Sequence, residues 1–245
     1  SDPIEAKLPG TSPFWIMRRD KLDSLLATKA IEEGAEFIVP FEVKGLEKKY
    51  QYWRVISNDK RILEAKAIVI ADGSTSPWPK IFGLGPRSPH YAQTTSVRLK
   101  GKGNLKPRSV RFEFGSIKNG FAWAFPLSNE VNVGIGSFLG RENFDSSMVL
   151  EKLLPNLGFN PEEGERSEHK LRIWNGNYPL HGDGIVCIGD AASLCDPFLA
   201  EGLRPALISG CEAAESIIKW IRGQENDLSN YTEAIKTRWG NSMVW

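Results

Sequence analysis

Asp190 comes directly after the apolar run Ile185-Val186-Cys187-Ile188 and Gly189. An unbroken run of this kind reads as a parallel strand covered on both faces. In open α/β sheets, ligands bind beyond the carboxyl ends of such strands. A carboxylate there can accept two hydrogen bonds from the vicinal hydroxyls of a ribose or ribityl chain. Further on, Gly202 and Leu203 open a long helix with Pro205 in its first turn, where a missing N–H is harmless. The helix's unpaired N–H groups and positive dipole end would face whatever lies beyond Asp190. A pyrophosphate or an anionic reduced isoalloxazine fits that position. The competing role for Asp190 is helix capping, but a carboxylate at the tip of a buried strand needs partners in either case.

The elements that must hold these residues can be read from patterning. Asp20 is placed to N-cap a helix over Leu22, Leu25, Leu26 and Ala30, with Gly34 as its left-handed end. A strand through Phe37 to Val39 is expected next, and Val43 lies in the following extended segment. Residues 50–70 read as a meander ending in Ala67-Ile-Val-Ile70, closed by an Asp72-Gly73 turn. Thr75 to Pro89, with four prolines, is the nearest thing to a linker. From Gln93 a period of two takes over: Val97 and Leu99; Val110, Phe112 and Phe114; Phe121, Trp123 and Phe125; Val131, Val133 and Ile135. This alternation describes an antiparallel sheet with one face covered. A helix from Ser147 to Leu154 and an extended segment from Lys170 to Pro179 follow. The last long helix, Gly202 to about Ile221, carries Leu203, Ala206, Leu207, Gly210, Ala214, Ile217 and Ile221 on one stripe.

The expected architecture is α/β (α+β), a cofactor domain interrupted by an antiparallel sheet that roofs the site. Phe121, Trp123 and Phe125 project to one side of their strand, and the hairpin with Val131 to Ile135 would complete a wide apolar floor. Such a floor suits an oily, elongated substrate, since each buried methylene contributes about 0.8 kcal/mol without a directional partner. An aromatic stripe is equally what an ordinary core requires.

Composition narrows the function classes. A net charge of +1 over 245 residues gives no broad field for nucleic acid. No apolar stretch reaches the roughly 18 residues of a membrane span. The three cysteines, Cys187, Cys195 and Cys211, have no paired spacing and fit a reducing, cytoplasmic setting, with peripheral membrane contact left open. His90, His169 and His181 are scattered singly, so no metal site is expected. There is no Gly-x-Ser-x-Gly elbow.

Four segments in order resemble the flavoprotein group of geranylgeranyl reductases, aromatic hydroxylases and flavin halogenases, and look closest to the geranylgeranyl reductase family. Arg19-Asp-Lys-Leu22-Asp23-Ser-Leu-Leu26 is similar to the group's Arg-x-x-Phe/Leu-Asp-x-x-Leu. Ala71-Asp72-Gly73-Ser-Thr-Ser76 is similar to its Ala-Asp-Gly-x-x-Ser. Gly120-Phe-Ala-Trp123-Ala-Phe125-Pro126 with Val131-Asn-Val-Gly134-Ile-Gly136 looks like the reductases' aromatic-Phe-Pro segment and Val-Gly-x-Gly strand. The fourth segment is Gly189-Asp190 with Asp196-Pro197 and Glu201-Gly202-Leu203.

The resemblance implies an incomplete FAD-binding Rossmann-like domain with an inserted antiparallel β-sheet substrate domain. The expected division is 1–92 and 181–245 for the FAD-binding parts and 93–180 for the substrate sheet. It implies FAD as cofactor, NAD(P)H or a reduced carrier as electron donor, and reduction of C=C bonds in an isoprenoid chain. Arg19, Val43, Asp72, Asp190, Pro197, Gly202 and Leu203 would contact the cofactor, with Arg19 and Val43 at its far end. Phe121, Trp123 and Phe125 would contact substrate, and no proton donor is identified. Arg19 could equally serve a surface ion pair, and Asp23 reads as a first-turn helix stabiliser.

The chain departs from the group at two places. Ala200 stands where glycine is usual before Glu-Gly, tightening the loop, and Trp78-Pro79 replaces the common Val-Arg after Ser76. No Gly-x-Gly-x-x-Gly occurs, and only 18 residues precede Arg19, against about 30 for a βαβ unit. The chain is therefore expected to be a fragment lacking that unit and a C-terminal portion. A monooxygenase or halogenase of the same fold, and a catalytically inert fragment, are the alternative readings.

Overall fold

The computed structural model describes residues 15–137 and 145–240, together with isolated residues 4, 6 and 9. Residues 241–245 lie outside the described residues.

Helix α1 (Arg19–Glu32) is followed by β1 (Val43–Lys48), β2 (Trp53–Ser57), β3 (Ile62–Ala65) and β4 (Ile68–Ile70). A short α2 (Trp78–Ile81) precedes the long β5 (His90–Lys100), then β6 (Arg111–Phe114), β7 (Gly120–Pro126) and β8 (Glu130–Ser137). After α3 (Ser146–Asn156) come β9 (Glu165–Ile173), β10 (His181–Gly182) and β11 (Ile185–Cys187), a 3-10 turn at Gly189–Ala192, α4 (Leu203–Ile221) and α5 (Ser229–Ile235).

These strands form three sheets. β1-β2-β3 is the expected antiparallel meander. In the order β10-β11-β4, β11 runs parallel to β4, with Ile185 opposite Ile68 and Cys187 opposite Ile70. The third sheet is antiparallel, β6-β7-β8-β5-β9. The mixed α/β class with an antiparallel sheet thus agrees with the sequence reading, and that sheet begins at His90, three residues before Gln93.

Two large cores follow from these layers. One lies between the β4/β11 pair and helices α4 and α5, where Ile185, Val186, Cys187, Ala213, Tyr231 and Ile235 are buried. Inside it, the Tyr231 hydroxyl donates to the Cys187 carbonyl at 2.7 Å. The other lies between the five-stranded sheet and α3, and contains Val97, Val131, Val133, Ile135 and Leu150.

Several expectations are corrected. Asp20 does not cap α1: the helix begins at Arg19, and Asp20 in its first turn is held by Arg18, Nε to Oδ1 at 2.9 Å. Gly34 does end the helix region, with φ +97°. Phe37 to Val39 form no strand, because no described strand lies beside them; Phe37 and Val39 are exposed.

The proline-rich stretch Thr75 to Pro89 is no linker. Leu84 and Pro79 are buried, and Phe82 meets Trp53 edge-on at 5.3 Å. Prolines there fix the backbone into a packed turn.

The buried stripe of α4 is also rotated from the expected one: Pro205, Ser209, Ala213 and Ser216 face inward, whereas Leu203, Leu207 and Ile221 are exposed. Small residues let the helix approach the sheet closely, and Ser209 has a polar task there that hydrophobic patterning cannot register.

Candidate functional site

The site is built where two adjacent parallel strands end. Ile70 pairs with Cys187, so Asp72 and Asp190 both leave the carboxyl ends of neighbouring strands. Just past β11 the chain turns sharply at Gly189, whose φ of +54° favours glycine. A Cβ there would meet that of Ala206 on α4 at 3.1 Å. The Gly189 N–H donates to Ser209 Oγ at 3.0 Å, so the first turns of α4 are tied to the end of β11.

Asp190 is half-buried. Burial raises its pKa above the ordinary carboxylate value, while the fields of His169, Arg19 and Arg172 pull the other way. Among the described residues, no donor hydrogen-bonds its carboxylate. A partly desolvated acceptor without a partner is the feature a ligand hydroxyl would satisfy. The carboxylate also sits at the mouth of α4: a Cβ on Gly202 would lie 3.0 Å from Asp190 Oδ1. The Gly202 and Leu203 N–H groups have no acceptor among the described residues. Asp190 therefore does not cap the helix. Glu201 does so instead, its Oε1 accepting from Arg204 N at 2.7 Å.

The connecting loop is rigid for local reasons. Asp196 Oδ1 accepts from the N–H groups of Phe198 at 2.9 Å and Leu199 at 2.6 Å, and Ala200 N donates to Asp196 O at 3.0 Å. Pro197 is half-buried at its start. Ala200 has φ +51°, in the left-handed region. That explains why glycine is usual at this position in the resembling group.

The aromatic residues lie where alternation placed them but not on the covered face. Ala122 and Ala124 point toward α3, together with Val131, Val133 and Ile135. Phe121, Trp123 and Phe125 occupy the opposite face, beside Phe112 and Phe114 of β6, with ring centroids 5.4 to 6.2 Å apart. Val131 to Ile135 therefore cannot floor an aromatic pocket. Across from the aromatics β8 presents Asn132, Gly134 and Gly136. Trp123 lies flat over Gly134, where a Cβ would come within 2.1 Å of its ring, and its Nε1 donates to Asn132 Oδ1 at 3.0 Å. At one end this face packs on the cradle loop: Phe121, Ala92 and Ile173 cluster with Cys195, Trp123 and Ala200.

The structure thus brings Asp190, Pro197, Gly202 and Leu203 together, puts Asp72 at the adjoining strand end, and sets the aromatic face against their loop. Arg19 acts electrostatically on Asp190 while pairing with Asp23 at 3.1 Å. Val43 stands half-buried on the edge strand of the meander, and no contact links it to Asp190. Sequence reasoning missed Arg172 and His169, since one charged residue in an extended segment carries no local signal. Among the described residues there is no cluster of three metal-ligating side chains. No described helix is long and apolar enough to cross a membrane.

No family model matches the chain. It is 28% identical to a digeranylgeranylglycerophospholipid reductase of Methanococcus vannielii, over 94% of this chain and 61% of that protein. The resemblance to the geranylgeranyl reductases is borne out. A geranylgeranyl bacteriochlorophyll reductase-like protein of Thermoplasma acidophilum superposes with a TM-score of 0.79 at 25% identity, covering 90% of this chain and 59% of that one. A flavin-dependent brominase, Bmp2 triple mutant, superposes with a TM-score of 0.70 at 21% identity, over 94% of this chain and 62% of that one, and shows the fold alone. The chain therefore spans about three fifths of the length of the relatives it matches.

Proposed function

We propose that this chain is the flavin-holding and substrate-facing portion of an FAD-dependent oxidoreductase that reduces C=C bonds in an isoprenoid chain. The observation that carries the reading is Asp190, a partly buried carboxylate that has no hydrogen-bond partner among the described residues and stands at the mouth of a helix whose first N–H groups are likewise unpaired among them. These residues fit a flavin: Asp190 would accept from ribityl hydroxyls, and the Gly202 and Leu203 N–H groups would face the pyrimidine side. Pro197 would shape the loop, Asp72 would contact the cofactor from the adjoining strand end, and Arg19 and Val43 would serve its far end. Bound FAD would supply hydride, received from NAD(P)H or a reduced carrier.

The protein's own part is positional. The aromatic face of Phe121, Trp123 and Phe125 would hold an apolar chain beside the cradle loop and exclude water from it. The names of the relatives support an isoprenoid substrate, and the division into FAD-binding parts (1–92, 181–245) and a substrate sheet (93–180) follows from the same reading. The fold shared with the brominase favours a second reading, an O2-using monooxygenase or halogenase; alkene reduction under anaerobic conditions would exclude it.

The test is titration of the purified chain with FAD, followed by flavin fluorescence and the visible flavin absorption band. Saturable binding is expected, weakened roughly 10- to 150-fold by Asp190→Ala, the loss of one charge-assisted hydrogen bond. Binding indifferent to Asp190 would overturn the reading.

A further inference from the structure

Beside Ala191 lies a cavity of about 160 Å³ that the flavin reading does not use. Its lining brings together Lys80, Arg87 and Arg172 with Tyr91 and three prolines, and includes no carboxylate. Arg172 is only 8% exposed. Its Nη2 donates to the Ser76 carbonyl at 2.7 Å and its Nη1 to that of Ala191 at 3.4 Å, while Nε is buried without a partner. A buried guanidinium normally has a carboxylate beside it. Among the described residues Arg172 has none within ion-pair distance; Asp190 feels its field but forms no ion pair with it. Lys80 and Arg87 likewise form no ion pair with any described residue.

The fold fixes the backbone from which Lys80 and Arg87 reach the cavity. Lys80 belongs to α2, where Trp78 stacks on Phe82 at 6.5 Å. Arg87 follows a turn pinned by Leu84 N to Pro79 O at 2.7 Å and Gly85 N to Pro179 O at 2.8 Å. A clamp joining Ser76 to Ala191 accounts for two N–H groups of Arg172. It does not account for two further cations converging on the same space without an acid.

We propose that this cavity is an anion site that takes a phosphate group. A phosphate brings close to two negative charges and three acceptor oxygens, and it matches a fork-shaped guanidinium flanked by two further cations. The volume leaves room for one phosphate and the first atoms of its ester. The rest of the molecule lies outside, over Tyr91 and the prolines. The group belongs either to a phospholipid headgroup or to a soluble phosphate ester. The site adjoins the flavin cradle through Ala191 and Arg172, but its test needs no flavin, so failure here leaves the Asp190 reading untouched.

Inorganic phosphate is the probe, added to the full chain at constant ionic strength with chloride as the balancing anion, with thermal unfolding as readout. A saturable rise in Tm is expected. In the double variant Lys80→Gln/Arg87→Gln, both exposed changes, the apparent Kd should weaken at least about tenfold with Tm in chloride unchanged. Arg172→Lys, which keeps the charge and loses the fork, should give intermediate weakening. A rise that does not saturate, one that chloride reproduces, or one the double variant retains would overturn the site. Flotation with phosphatidic acid vesicles, reversed by phosphate, assigns the group to a lipid headgroup; saturable phosphate binding without flotation assigns it to a soluble ester.

Discussion

Gly202→Ala separates the fold from the cradle. The backbone there has φ −113° and ψ −20°, which any L-residue adopts, so the substitution introduces no strain. The added methyl would lie 3.0 Å from Asp190 Oδ1 and 3.7 Å from Cys195 Sγ. Only the first contact is tight, and it is made with the end of a half-exposed side chain that can swing away by a few tenths of an ångström. Alanine at the residue before the helix is less favourable than glycine by up to about 1 kcal/mol. Stability without flavin should therefore fall by no more than about 1 kcal/mol.

Flavin affinity should respond more strongly. Displacing the carboxylate weakens a charge-assisted hydrogen bond worth about 1.5–3 kcal/mol when intact, and lowers affinity by up to roughly 10- to 150-fold. Gly210→Ala is the control on the same helix. Its Cβ would meet only Ile188 Cδ1, at 3.7 Å, so it should stabilise the chain by about 0.5–1 kcal/mol and leave flavin binding alone. Fluorescence titration and thermal unfolding of the three proteins decide the matter. Unchanged affinity in Gly202→Ala would refute a ligand at the helix mouth, and outright unfolding would show that the methyl meets something less yielding than a carboxylate.

Other consequences are equally accessible. Gly134→Ala must displace the Trp123 indole and break its bond to Asn132; a loss of about 1–3 kcal/mol is expected, with a shifted tryptophan emission that an unrelated destabilisation would not produce. Thiol labelling of the native chain should modify Cys211 alone, because burial pushes Cys187 up to about 12 and raises Cys195 as well; fast reaction of a second thiol before unfolding would contradict the packing of β11 and its loop.

His181, bonded to Thr232 Oγ1 through Nδ1 at 2.7 Å, has its pKa lowered, chiefly by burial. With the folded value below the unfolded one, the unfolded chain takes up its proton first as pH falls through about 6.5. This contribution is intact above that pH, declines down to the folded value and is constant below it. His181→Asn should flatten that limb of the stability profile, and an unchanged limb would assign it to another group.

What the sequence made legible were features written in consecutive residues. Ile185 to Ile188 form a buried strand end because nothing polar interrupts them, and Asp190 and Gly202 follow at the spacing that places a carboxylate beneath a helix mouth. Choices between faces were less legible. Alternation in β7 separates Phe121, Trp123 and Phe125 from Ala122 and Ala124 without saying which set α3 will cover. The helix covers the alanines, since small side chains allow it to approach, and the aromatic set is left to pack across the strands. The same preference rotates α4: Ser209 and Ser216 face the sheet, and Ser209 also satisfies the Gly189 N–H. In both elements an index of hydrophobicity points to the wrong face, because close approach selects for small size.

That preference also explains the placement of the site. With the bulky rings off the α3 interface, Phe121 and Trp123 meet Cys195 and Ala200 of the cradle loop. Ala200 holds a left-handed backbone there, strained for a residue with a Cβ. The loop that shapes the helix mouth and the wall that would hold an apolar chain are thus a single packed unit. A change on either side, at Trp123 or at Ala200, should be felt on the other.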